Sequence, residues 1–436
     1  MDAAVTKAKA PRGRTDLLAL GFGTTAAMWA LGYFLRLPVS TVPGWLIILL
    51  MALCVVLGGS LANRLTVRGW LGGVWVGGIA GLLNLLIFGS LMSGEQANQL
   101  LPSAALWLVG SPVIGALLGG IGAAIGGRGR AGRQPVDWPP VLVVVAAAIT
   151  LLLIVAGGMV TGFESGLAVV DWPNTFGYNM FFYPLARMTG GIYYEHAHRL
   201  LGSLAGLTTL IVAINLQFGR QPRWLKQLAW GALVLVIIQG VLGGLRVTGT
   251  LTLSTSPHDV QPNIYLAIIH GVVGQLFLAS LVALAVYVSQ GWKRCSEVHR
   301  SPLARTDRAL AIWLLVLLIV QLVLGAVLRH IKGGLHLHIT LAVIVLIIAA
   351  VAGLRLWGIY PQLPRLSRGG LLLANAAGIQ LLLGLAALMT TGANAGYQPG
   401  WLMVIVTTLH QTMGALLLAL AVYLAVWVHR LLRPGA

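Results

Sequence analysis

The chain has 436 residues, 58% of them hydrophobic and only 9% charged, with a mean hydropathy of +0.89. A soluble domain cannot hide that much apolar surface, so composition excludes one and predicts an all-α polytopic membrane protein. The net charge of +18 invites a nucleic-acid partner, a reading that the distribution of the charges excludes.

Crossing the hydrocarbon takes about 20 apolar residues per helix. Twelve stretches qualify, near 17–35, 44–63, 70–92, 104–126, 140–160, 191–215, 227–246, 264–288, 309–329, 335–355, 371–391 and 400–428. The start, MDAAVTKAKAPRGRTD, is too polar for a cleavable signal peptide, and the run after it is long enough to span. With the N-terminus in the cytoplasm and the sides alternating, 22 Lys and Arg fall on inner segments. Six fall outside: Arg36, Arg187, Arg199, Arg246, Arg329 and Lys332. This is the positive-inside pattern, which predicts both termini cytoplasmic and makes the basicity topological. The expected partner is the lipid membrane, with attraction to anionic headgroups as a by-product and no nucleic acid.

The first four spans contain no histidine and are rich in small residues (VLGGSLAN, LGGVWVGGIAGLLN, GALLGGIGAAIGG), which suits close helix packing. Their one acidic residue, Glu95, is expected in an outer loop. Residues 1–135 read as a four-helix packing or partner-binding module without chemistry. A basic segment, GGRGRAGRQPVDWPP, links it to the rest. Cys54 falls in a span and Cys295 on an inner loop, so neither a disulfide between them nor a thiolate metal site is expected.

The remaining eight spans read as two four-helix bundles, 136–300 and 301–436, repeating one pattern. QGVLG at 239–243, QLVLG at 321–325 and QLLLG at 380–384 recur on alternate spans, with LIVAG at 153–157 in the corresponding place on the first. All ten histidines lie at or after position 196. His198 precedes His270 by 72 positions, and His338 precedes His410 by the same 72. Internal repeats of this kind surround central sites in many membrane proteins.

His198, His270, His338 and His410 fall one to a span, all in the outer half of the membrane. Ionisable groups at such depth usually mark function, and imidazoles on facing helices of a bundle suit the axial positions of an iron porphyrin. Two bundles then make two haem sites. Interhelical hydrogen bonding is the plainer account of any one of these histidines. Zinc is disfavoured, because Cys, Asp and Glu are too scarce to complete a site. The recurring glycines are expected to let a porphyrin approach the backbone, although plain helix packing explains a lone glycine equally well. Arg199, Arg246 and Arg329, outside against the charge rule, are either partners for haem propionates or snorkel to lipid phosphate.

In YYEHAHRLLG, Glu195 and His198 are three apart and share a helix face, whereas His196 points away. Glu195 therefore stands one turn outward of His198, where a carboxylate can relay protons or stabilise positive charge; pairing with Arg199 is the alternative. The same face argument, with the repeat, selects His338 over His336. His299 and His429 belong to basic inner segments, and His258 and His330 to outer loops.

These residues resemble the haem A synthase family of cytochrome oxidase assembly proteins. EHAHRLLG is similar to its ExxHR motif, GGMVTGFESGLAVVDWP (157–173) to its first outer segment, and LHQTMGALLL (409–418) to its final His-Gln helix. The resemblance covers about 140–430. It implies a bacterial plasma-membrane oxidoreductase that converts the C8 methyl group of haem O to a formyl group, giving haem A. It implies a substrate haem between His198 and His270 with Glu195 needed for reaction, and a haem b between His338 and His410. The implied partners are an external electron donor (ferredoxin-like or quinol), a haem O synthase and a terminal oxidase, with a homo-oligomer as a further option. Two departures stand out: DWPNTFGYNMFFYP lacks the cysteine pair of some members, and Thr161 stands where many have Arg. The four leading spans lie outside the usual pattern. A dihaem b-type electron-transfer protein remains the alternative from the residues alone, and a haem chaperone or transporter a third.

Overall fold

The structure, a computed structural model, describes residues 14–94, 96–127, 136–248, 263–296, 298–393 and 399–435. The N-terminal stretch, Glu95, the middle of the basic linker and His258 lie outside the described residues. Among the described residues twelve helices are long and apolar enough to cross a membrane, so the protein is an all-α integral membrane protein.

The first group is α1 (Thr15–Leu35), α2 (Gly44–Leu65), α3 (Trp70–Phe88) and α4 (Ala104–Gly126). Glycine lets its members touch backbone to backbone: a Cβ on Gly77 or Gly119 would run into main-chain atoms of the facing helix. Packing of this kind replaces the hydrophobic drive that lipid cannot supply. The group is not free of charge, as the sequence suggested. Asp16 is the second residue of α1, is buried, and pairs with Arg68 Nε at 2.7 Å, because a carboxylate out of water needs a cation.

Next come α5 (Trp138–Gly162), α6 (Gly190–Phe218), α7 (Arg223–Thr248) and α8 (Ile264–Val288), then a short helix α9 (Gln290–Lys293). Pro139 and Pro140 open α5, where their missing N–H groups cost nothing. The Asn263 side chain caps α8 by accepting from Leu266 N at 3.0 Å. Last come α10 (Ala304–Ile331), α11 (Leu335–Ile359), α12 (Pro364–Ala393) and α13 (Trp401–Leu431). In each of these last two sets of four long helices, neighbours in the chain pack together and the last helix returns to the first, closing a ring. The rings meet where α13 lies on α5 and α8 and where α10 touches α8. The first group sits against the outside of the first ring, mainly α1 on α5.

The segment 163–189, between α5 and α6, lies at what we term the upper end. It contains a small antiparallel hairpin, β1 (Asn174–Thr175) and β2 (Tyr178–Asn179), pairing Asn174 with Asn179 and Thr175 with Tyr178. At the lower end β3 (His299–Ser301) runs parallel to β4 (Leu432–Pro434) and ties the start of the second ring to its last helix. Nearby, Asp307 pairs with Arg355 Nε at 2.8 Å and accepts from the Tyr360 hydroxyl at 2.6 Å. His330, expected in a loop, is in the last turn of α10.

Candidate functional site

The helices α6, α8, α11 and α13 each bring one half-buried histidine toward the axis of a ring: His198 and His270 in the first, His338 and His410 in the second. In both rings the two imidazole centroids stand 6.3 Å apart with their planes at 80°. Two metal–imidazole bonds of about 2 Å, with about 1 Å from each nitrogen to its ring centre, span roughly this distance. Both pairs therefore have the spacing that two imidazoles sharing one iron would take. Among the described residues no three His, Cys, Asp or Glu side chains converge as a metal site.

The glycines of the recurring motif do something other than expected. A Cβ on Gly157, Gly243, Gly325 or Gly384 would lie 3.0 to 3.3 Å from Cε1 of His198, His270, His338 and His410 respectively. Each glycine is a seat for an imidazole of the next long helix, not a berth for the porphyrin. In each seat Nδ1 is closer to the glycine than Nε2 is, so Nε2 is the nitrogen left for the interior. Nδ1 of His198, His270 and His410 is buried and makes no full hydrogen bond. The main chain of Leu153, Gln239 or Gln380, one turn before the seating glycine, faces the same imidazole. A backbone carbonyl on one ring nitrogen is the usual way to orient the other toward a metal. At the fourth seat the side chain of Gln321 takes over: Nε2 donates to the His338 carbonyl at 3.0 Å and lies 3.1 Å from its Nδ1.

Glu195 is 5% exposed, one turn above His198. Its Oε1 accepts from Arg199 Nε at 3.1 Å, both side chains being buried. The Arg199 guanidinium also donates to the carbonyls of Asp171 (2.7 Å), Asn174 (2.9 Å) and Val169 (3.1 Å). Four of its five N–H groups are thus engaged by protein, and Arg199 neither snorkels nor hangs free at the surface. Arg246 donates from Nη2 to the Gly166 carbonyl at 3.2 Å, on the same upper segment. Arg329, in the last turn of α10, makes no side-chain hydrogen bond among the described residues.

The upper segment is organised by a residue that the sequence reading passed over. The Asp171 carboxylate, fully buried, accepts from the backbone N–H groups of Phe176 (2.7 Å) and Gly177 (2.8 Å), fixing the hairpin turn. His196 faces away from His198, as its position on the helix predicts. It is 1% exposed, its Nδ1 is 3.1 Å from Thr175 Oγ1, and its ring packs 5.2 Å from that of Tyr183. Between the rings Trp401, opening α13, packs on Phe163 (4.5 Å) and Tyr194 (6.4 Å).

Residues 140–339 match the family model described as Cytochrome oxidase assembly protein. The match takes in α5 to α8, α10 and the start of α11, hence Glu195, His198, His270 and His338, and stops short of His410. The chain is similar to Heme A synthase of Rhodopseudomonas palustris (strain HaA2), 27% identical over 146 residues, 33% of this chain and 36% of that relative. It is similar to Heme A synthase of R. palustris (strain BisB5) at 28% over 146 residues, with the same shares. The aligned stretch spans about a third of the length of these relatives. Residues 140–339 are thus similar to the cytochrome oxidase assembly family, and 146 residues of the chain are similar to haem A synthases.

Proposed function

We propose that the protein is a membrane haem A synthase that oxidises the C8 methyl group of haem O to a formyl group. The observation that carries this reading is the buried Glu195 carboxylate one turn from a histidine of a correctly spaced pair. The likeness to haem A synthases supports it. His198 and His270 hold the substrate haem, and His338 and His410 hold a haem b. Iron porphyrin supplies the oxidising chemistry that side chains lack, leaving position and electrostatics to the protein.

The chain's own contribution follows from the geometry. Glycine seats hold the four rings, helped by the main chain one turn before the seat for His198, His270 and His410 and by the Gln321 side chain for His338, and present Nε2 inward. Arg199 occupies Oε1 of Glu195, which leaves Oε2 to take or give a proton beside the reacting edge. The ion pair and the Asp171 turn keep the upper segment folded over this carboxylate, restricting water. Arg246 and Arg329 stand at the same end, where haem propionates would find cations. By the distribution of Lys and Arg this end faces away from the cytoplasm of a bacterial plasma membrane. Dioxygen is the oxidant of the successive hydroxylations, one of its atoms going to the methyl carbon and the other to water. The reducing electrons come from an external donor of ferredoxin or quinol type; a haem O synthase and a terminal oxidase are the expected neighbours.

The test is to express the protein with a source of haem O and identify the extracted haems by chromatography and mass spectrometry. Haem A, or its hydroxymethyl precursor, is the expected product. Haem b alone would overturn the reading in favour of a dihaem electron carrier.

A further inference from the structure

The first four helices reach the Glu195 site through an unbroken series of contacts. Asn98, in the connection between α3 and α4, grips the 174–179 hairpin with both ends of its amide. Nδ2 donates to the Gly177 carbonyl at 3.2 Å, and Oδ1 accepts from Asn179 N–H at 2.7 Å. Asn179 pairs with Asn174 across the hairpin. The Asn174 carbonyl accepts from Arg199 at 2.9 Å, and Arg199 holds Glu195 at 3.1 Å. A side branch runs from Thr175, also on the hairpin, to His196 beside Glu195.

Two more attachments join the same parts. Tyr193, two residues before Glu195, stacks on Tyr33 of α1 (centroids 5.7 Å, planes 15° apart) and donates its hydroxyl to the Tyr33 carbonyl at 2.6 Å. Arg36, just past α1, donates to the Leu185 carbonyl at 2.5 Å. Simple attachment of one helix group to another needs only the apolar contact of α1 with α5. These polar contacts all fall on the upper segment and on the first turn of α6, where an ångström of play would move the carboxylate.

We propose that the N-terminal four helices are a brace that positions Glu195, with Asn98 as its most direct positioning residue. The inference rests on the reading of the first ring as the site of oxidation. Accurate placement is what such a group needs, since small displacements of a catalytic side chain cost large factors in rate. Asn98 is also in a left-handed backbone conformation (φ 62°), tolerated best by glycine and next by asparagine. Glycine therefore removes the grip without straining the turn.

The experiment compares the full-length wild type with Asn98→Gly and Asn98→Asp, which keeps the acceptor for Asn179 N–H and loses the donor to Gly177. Hydrogen exchange at the Asn179 amide, the infrared band of the Glu195 carboxylate (assigned by difference from Glu195→Gln), and kcat and KM for haem O are measured. Asn98→Gly should raise Asn179 exchange at least tenfold, shift the carboxylate band and lower kcat several-fold, with KM and the visible spectrum of the second-ring haem unchanged. Asn98→Asp should fall between. Unchanged exchange, or raised exchange with an unmoved carboxylate band or wild-type kcat, overturns the brace. If the wild type binds haem but yields no haem A, the functional reading fails. The brace is then still decided by exchange and the carboxylate band.

Discussion

The two histidine pairs have the same geometry and different surroundings. Both set imidazole centroids 6.3 Å apart at 80°, with each ring seated on a glycine. Around His198 stand a buried carboxylate, its arginine and a folded upper segment anchored by Asp171. Around His338 a glutamine amide takes the place that Leu153 has beside His198. The first ring is flanked by α1 and by α13, whereas α10, α11 and α12 present long apolar faces outward. A shared clasp does not specify a shared task; the groups aimed at its edge do. On the proposed function, oxidation goes with the pair that has an acid beside it, and haem retention with the pair that shows none among the described residues.

Loss of a ligand separates the two rings most sharply. His410→Ala should remove the resident haem b, with a loss of affinity beyond the ~10–100-fold that outer-shell changes cost. His270→Ala should leave that haem in place and abolish haem O binding. Visible spectra and haem titrations of both variants would show it, and equal spectral losses in the two would break the assignment of one haem to each pair. Next in size is Glu195→Gln, expected to keep both haems and lower turnover by about 100-fold or more, the scale of general acid–base catalysis. Undiminished haem A formation would remove Glu195 from the chemistry.

Smaller effects address the seats. Gly384→Ala places a methyl group 3.0 Å from His410 Cε1, which should turn the ring and destabilise the second site by about 1–3 kcal/mol, as overpacking does. Thermal stability and electron paramagnetic resonance of the low-spin iron are the readouts; an unchanged signal would mean that the ring is free to move aside. The mildest change is Gln321→Leu, which gives His338 the apolar neighbour that His198 has. A loss of affinity of about 10-fold or less is expected, accompanied by altered ring orientation in the same spectra. An unaltered ring would show that the backbone alone orients it.

The spans, the four histidines and Glu195 were legible in the chain because hydropathy and helical periodicity carry depth and face directly. The 72-residue spacing paired the histidines before any coordinates. The glycine motifs were legible as motifs and misread in purpose, since whether a glycine meets a porphyrin or an imidazole depends on which helix faces it. Asp16 went unread as a buried charge because its cation, Arg68, is 52 residues away, in the turn between α2 and α3. Asp171 looked like one residue of a family segment, and only the folded hairpin reveals its two backbone partners.

By itself, then, the amino-acid order determined that twelve apolar helices form, which face of four of them carries an imidazole, and where a rare buried acid sits. Tertiary packing alone decided that glycines 13 to 41 residues upstream seat those imidazoles and that Asn98 reaches a hairpin some 80 residues away. The reason is physical. Periodicity is a property of a single helix in its solvent, whereas a contact between two helices is a choice among many nearly equivalent apolar faces, settled only when all of them close-pack at once.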